Sequence, residues 1–187
     1  MSVETLAEQI NEAAGAYRVG GLQELRGRLH GRRPRTSKIF TKATVFVDGK
    51  DKYAFHDGGR TELQFNIGVE EREDQHWLRH GVAFSFERSR TLPDPATLLP
   101  KVRRFNEWLR RSAAKLQGFK MWHWEGPTLS PDRSPGDIPE SLVRPEVFVF
   151  LGVRVPEAEV DVRQILRDFD RLYPLYEHVE SSTELGS

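Results

Sequence analysis

Between His56 and Ser85 the chain gathers residue types that bind ligands and move protons. They are His56, Asp57, Arg60, Glu62, Gln64 and Asn66, followed by Gly81, Ala83 and Ser85. From Glu62 to Glu70 polar and apolar residues alternate strictly. Leu63, Phe65, Ile67 and Val69 fall on one face of a strand, and Glu62, Gln64, Asn66 and Glu70 on the other. The next segment repeats the pattern: Leu78, His80, Val82, Phe84 and Phe86 oppose Arg79, Gly81, Ala83 and Ser85. If the apolar faces share a core, the amide and acid groups stand beside a floor of small residues. Small residues on a sheet let a ligand approach the backbone closely. Asn66, His56 and Arg60 complete this expected ligand face, and His56 beside Asp57 has the composition of an acid–base group. The plainer alternatives are a solvated sheet face and a structural histidine.

A second group lies further on. Lys101, Arg104, Trp108, Arg111 and Lys115 recur at intervals of three and four, so a helix presents them on one face. Cations around an indole suit a run of phosphates with a stacking partner; the alternative is a tryptophan at the rim of the core among solvated cations. Trp122 and Trp124 fall on one face of a strand and suit an unpaired or flipped base, or simply cover a core. Arg32, Arg33 and Arg35 belong to a basic segment. Residues 18–44 hold Arg18, Arg26, Arg28, Arg32, Arg33, Arg35, Lys38 and Lys42 against Glu24 alone. Residues 156–187 reverse the balance, with eight acids against three arginines. The basic segment is suited to phosphates, or to the chain's own acidic end.

Net charge is zero over 187 residues, so charge alone points to no partner. The absence of cysteine excludes disulfides, iron–sulfur clusters and cysteine-ligated zinc. No Gly-x-Gly-x-x-Gly, Gly-x-x-x-x-Gly-Lys or Gly-x-Ser-x-Gly run is present, which disfavours nucleotide cofactors and serine hydrolase chemistry. His56, His76, His80 and His123 are scattered, and no metal site is expected from them. With neither a signal pattern nor a membrane-length apolar run, the expected location is cytoplasmic.

These residues need an α+β scaffold. The spacing predicts a helix over 3–17, strands over 39–47, 52–56, 62–70, 78–87, 119–124 and 146–155, and helices over 96–116 and from 160 onward. Pro174 is expected to kink or end the last helix. That makes a mostly antiparallel sheet of about five to six strands with helices packed on one face. One domain over 1–187 is expected: a helical, basic appendage at 1–38, a core at 39–180 and a frayed tail at 181–187. The proline-rich stretch Gly126–Pro145 is long enough for a lid or a groove-contacting loop.

The runs FHDGGRTELQFNIG, RHGVAFSFE and LPKVRRFNEWL resemble a recurrent N-terminal module of bacterial restriction-type proteins, over roughly residues 53–179. There it precedes an HNH nuclease segment and reads specific or modified DNA. The resemblance implies DNA as partner and a nuclease in a separate subunit or domain, since this chain has no HNH signature. A second resemblance is to PD-(D/E)XK restriction nucleases, with Glu62-Leu63-Gln64 as the rarer Glu-x-Gln variant. It implies a magnesium ion held by Glu62 with Asp57, Asp51 or Asp48. The lysine that usually follows is absent, which leaves the general-base role unfilled. A protein-interaction domain, docking through the acidic last helix, is the third reading. Oligomeric state is left open.

Overall fold

The structure, a computed structural model, describes residues 1–17, 21, 38–48, 51–56, 59–72 and 75–181. Helix α1 spans Val3–Ala16, and the Ser2 hydroxyl caps it by accepting from the Thr5 N–H. Its inward stripe is Val3, Leu6, Ala7, Ile10 and Ala14. Beside Ile10, Asn11 holds the returning chain. Its Oδ1 accepts from the amides of Ile39 and Phe40 at 2.8 and 3.0 Å, and its Nδ2 donates to the Phe40 carbonyl. Ile39 and Phe40 are thereby buried in the core, and Lys42–Thr44 forms a 3-10 turn. The strand expected over 39–47 therefore shortens to β1, Val45–Asp48.

Strands β2 (Asp51–Phe55), β3 (Gln64–Arg72) and β4 (Gln75–Ser85) continue an antiparallel meander. Asp94 then caps a 3-10 turn over Pro95–Leu98 that runs into helix α2, Leu99–Ser112. A further 3-10 turn, Ala113–Leu116, ends the helical stretch before Gly118 reverses the chain at φ 93°. Strand β5 (Lys120–Glu125) makes a short hairpin with β6 (Thr128–Leu129). The long β7 (Val147–Pro156) inserts between β4 and β5, and helix α3 (Val162–Glu180) closes the fold. Among the described residues the sheet has seven strands in the order β1-β2-β3-β4-β7-β5-β6, all antiparallel. The strand missing from the expectation is the two-residue β6.

The helices cover one sheet face. Phe65, Ile67, Leu78, Val82, Phe84, Val149, Leu151 and Met121 meet α1, α2 and α3 there in one apolar core. Pro174 does not end α3, which runs on to Glu180; Leu172, Leu175, Tyr176 and Val179 are buried on both sides of it and hold the helix through the missing hydrogen bond. No helix among the described residues is long and apolar enough to cross a membrane.

The stretch Gly126–Pro145 is no lid over the polar face. Ser130 and Arg133 bond the backbone of His123 and Met121, so it covers the free edge of β5. It then crosses to the helix layer, where Asn106 and Ile138 exchange a reciprocal pair of hydrogen bonds at 2.8 and 2.9 Å. Arg103 with Glu140 and Arg110 with Asp137 flank that anchor.

Candidate nucleic-acid interface

Alternation along the strands assigns a second set of residues to the sheet face away from the helices. Three zones run across it. The first is an aromatic ladder on β1 and β2. Phe46 stacks on Tyr53 at 5.3 Å and on Phe55 at 5.5 Å, with interplanar angles of 19° and 11°. Tyr53 and Phe55 stand 6.3 Å apart. Phe46 is 39% exposed and Val47, at the same edge, 52%.

The second zone is polar. Gln64 lies opposite Ala83 and Asn66 opposite Gly81, the amide row beside a small-residue floor that the alternation implies. The row is not open, however: Gln64 is 2% exposed and Asn66 0%. The Gln64 amide donates to the Gly59 carbonyl at 3.0 Å, and Asn66 Nδ2 donates to Gln64 Oε1 at 3.4 Å. Asn66 Oδ1 is buried without a partner.

The third zone combines indoles and guanidiniums on β4, β5 and β7. Trp122 stacks on Phe150 at 4.8 Å, and the Arg154 guanidinium lies 3.7 Å above the indole. Trp124 meets Trp122 edge-on at 6.2 Å, with the Arg79 guanidinium 5.1 Å from its ring. Glu70 ties the two arginines together, each carboxylate oxygen 3.1 Å from one guanidinium. Gly68 makes room for this: a Cβ there would lie 2.4 Å from the Arg79 guanidinium.

The residues expected to share the ligand divide between the two faces. Trp122 and Trp124 do lie on the same face as Gln64 and Asn66. Trp122, 1% exposed and already stacked by Phe150 and Arg154, offers no free ring surface to a base. The chain enters β3 from a 3-10 turn at Gly59–Thr61, so Glu62 does not follow the strand's alternation. Its Oε2 accepts from the Tyr176 hydroxyl of α3 at 3.2 Å. His56 is also buried on the helix side, with Nδ1 3.2 Å from the Ile39 carbonyl and its ring edge-on to Tyr176. Glu62 and Gln64, the pair that a Glu-x-Gln metal site requires together, thus face opposite layers. Arg60 pairs with Glu87. Asp57 lies outside the described residues, as do Arg32, Arg33, Arg35 and the side chains of Asp48 and Asp51. Among the described residues no three His, Asp or Glu side chains are placed to hold a metal ion.

The α2 stripe belongs to the helix layer. Lys101 Nζ bonds the Thr61 carbonyl and the Glu180 carboxylate. Arg104 Nε donates to the Val179 carbonyl at 2.8 Å. Trp108 packs at the margin of the core, Arg111 pairs with Glu107 one turn away, and Lys115 is exposed. These groups and the indoles therefore lie on opposite sides of the sheet and cannot share one short ligand.

Sequence reasoning passed over the aromatic ladder. Its signal is present: in VFVD and DKYAF the outward positions of the hairpin are Phe46, Tyr53 and Phe55. It places Glu70 and Arg79 on this face without a role and passes over Arg154 and Asp132, because the four are brought together by the β3–β4–β7 pairing and the loop after β6 rather than by local spacing. Compared with family models, curated proteins and solved structures, the chain matches none.

Proposed function

We propose that this chain is a DNA-recognition domain of a restriction-like defence system and that the sheet face away from the helices is its DNA-binding surface. The supporting observation is the ladder of Phe46, Tyr53 and Phe55, three stacked rings on the face away from α1, α2 and α3, with the exposed Phe46 at its rim. Aromatic rings on a sheet stack bases at about 1–3 kcal/mol each. The sequence resemblance adds the class of target, specific or modified DNA, and a nuclease carried elsewhere.

The test is the double variant Phe46→Ala/Tyr53→Ala, titrated with methylated and unmodified DNA in duplex and single-stranded form. Loss of two bases' stacking lowers affinity by ten-fold or more, since about 1.4 kcal/mol is a factor of ten. A folded double variant that binds every DNA form as the parent does would reject the surface. Phe46 and Val47 at an exposed sheet edge also suit protein docking. A parent protein that binds no DNA form would transfer the surface to that reading.

A further inference from the structure

We infer that Arg154, with Trp122 beside it, forms an oxyanion site now held by a displaceable carboxylate, Asp132, and that the group it takes is a phosphate. The argument rests on hydrogen-bond accounting. Arg154 is 6% exposed at its side chain. Its Nε donates to Glu70, but Glu70 gives its other oxygen to Arg79. Nη1 is held by a single oxygen of Asp132, and Nη2 is buried with no partner. Trp122, stacked under the same guanidinium, has an indole Nε1–H that is also buried without an acceptor.

Two orphaned donors beside one strained economy of acceptors is a costly arrangement, because a buried donor left unpaired loses its hydration without return. A guanidinium fork is best satisfied by two oxygens of a planar or tetrahedral oxyanion, bound in parallel through both Nη atoms. Asp132 supplies one. It stands on the segment after β6, is 42% exposed, and has water to return to. A phosphate oxygen pair in its place engages both Nη donors. Glu70 and Arg79 stay in place and hold the guanidinium plane. Asp132 then acts as an internal competitor that keeps the buried cation neutralised until an anion arrives.

On the DNA reading proposed above, the phosphate is one of the DNA backbone, but the site itself requires only the oxyanion. The experiment separates the two. Inorganic phosphate and a DNA duplex are titrated at constant ionic strength into the parent chain, Asp132→Ala and the near-isosteric Asp132→Asn, read by calorimetry and by tryptophan fluorescence. Removing the competitor tightens phosphate binding by about two- to fivefold, the range expected when an exposed carboxylate no longer competes for the guanidinium. Arg154→Lys, which keeps the charge but loses the fork, weakens it. Tighter phosphate binding with tighter DNA binding supports site and reading together. Tighter phosphate binding with no DNA binding by any variant keeps the site and removes the DNA reading. Phosphate binding that is absent, unchanged or weaker in both Asp132 variants overturns the site, whatever DNA does.

Discussion

His80 of β4 and Asp168 of α3 meet inside the core, Nε2 2.8 Å from Oδ2, with Gln164 and Arg171 on the other carboxylate oxygen. Both residues are buried. Burial alone would push the Asp168 carboxyl up. The hydrogen bond and charge of His80 outweigh it, with Gln164 and Arg171 adding to them, and hold it below the ordinary carboxylate range. A carboxyl held low in the folded state stabilises the protein above its ordinary value near pH 4, and that contribution is lost as pH falls through its folded value. The expected result is a melting temperature that falls on acidification below about pH 4, with Asp168 a contributor. Asp168→Asn should be less stable at neutral pH by about 3–5 kcal/mol, the usual consequence of breaking a buried pair on one side. It should also lose less on acidification. Melting curves of both proteins across the acid range check this, and parallel acid losses would take Asp168 out of the explanation. Trp122 shows the same preference of the fold for its own groups: its ring surface and its nearest cation are used internally, so its type and position alone did not identify a base-stacking site.

Between α2 and α3 the cations of one helix serve the end of the other. Arg104 donates to the Val179 carbonyl in the last turn of α3, and Lys101 joins Glu180 to the Thr61 carbonyl. Positive charge at a helix C-terminus and a donor for an end carbonyl both stabilise it. Arg104→Ala should therefore cost about 1.5–3 kcal/mol, as for a hydrogen bond to a charged group, while Arg111→Ala, whose partner is a surface residue one turn away, should cost less than about 1 kcal/mol. Urea midpoints of the two single variants measure the difference; equal midpoints would remove the capping role. What the sequence made legible is the phase of each element. Leu63, Phe65 and Ile67 face the core, Gln64 and Asn66 turn away from it, and Trp122 and Trp124 share a face, because a period of two leaves no other arrangement once one face is apolar. The partners of long polar side chains were not legible. Lys101 and Arg104 read as free cations by spacing, yet their acceptors lie over seventy residues away on α3. The insertion of β7 between β4 and β5, which sets Arg154 over Trp122, is likewise a property of topology. It brings Gly81 against Gly152, where an added Cβ on either would meet backbone oxygen at 2.2 Å.

At the scale of the molecule the sheet separates two environments, and α3 joins most of the parts on one of them. It places Asp168 against β4, Tyr176 against Glu62 and His56, and Glu180 against the Leu63 amide and Lys101. Its buried apolar row is Ile165, Leu166, Phe169, Leu172, Tyr173, Leu175, Tyr176 and Val179. Burying an aliphatic or aromatic side chain of this size contributes about 1.5–3 kcal/mol, whereas the whole stability of a domain is about 5–15 kcal/mol. The row is thus comparable to or larger than the margin by which the fold exists, and its loss would also expose the central strands β3, β4 and β7 on their apolar face. A chain ending at Asp161 should have no cooperative melting transition, although all seven strands of the sheet remain. By contrast, Phe46→Ala/Tyr53→Ala, at the edge of the sheet, should keep the transition nearly in place. Calorimetric scans of the two proteins decide the matter: a cooperative transition in the truncated chain would mean that the sheet with the segments preceding Val162, α1 and α2 among them, suffices, and that α3 is an attachment to the fold instead of a part of it.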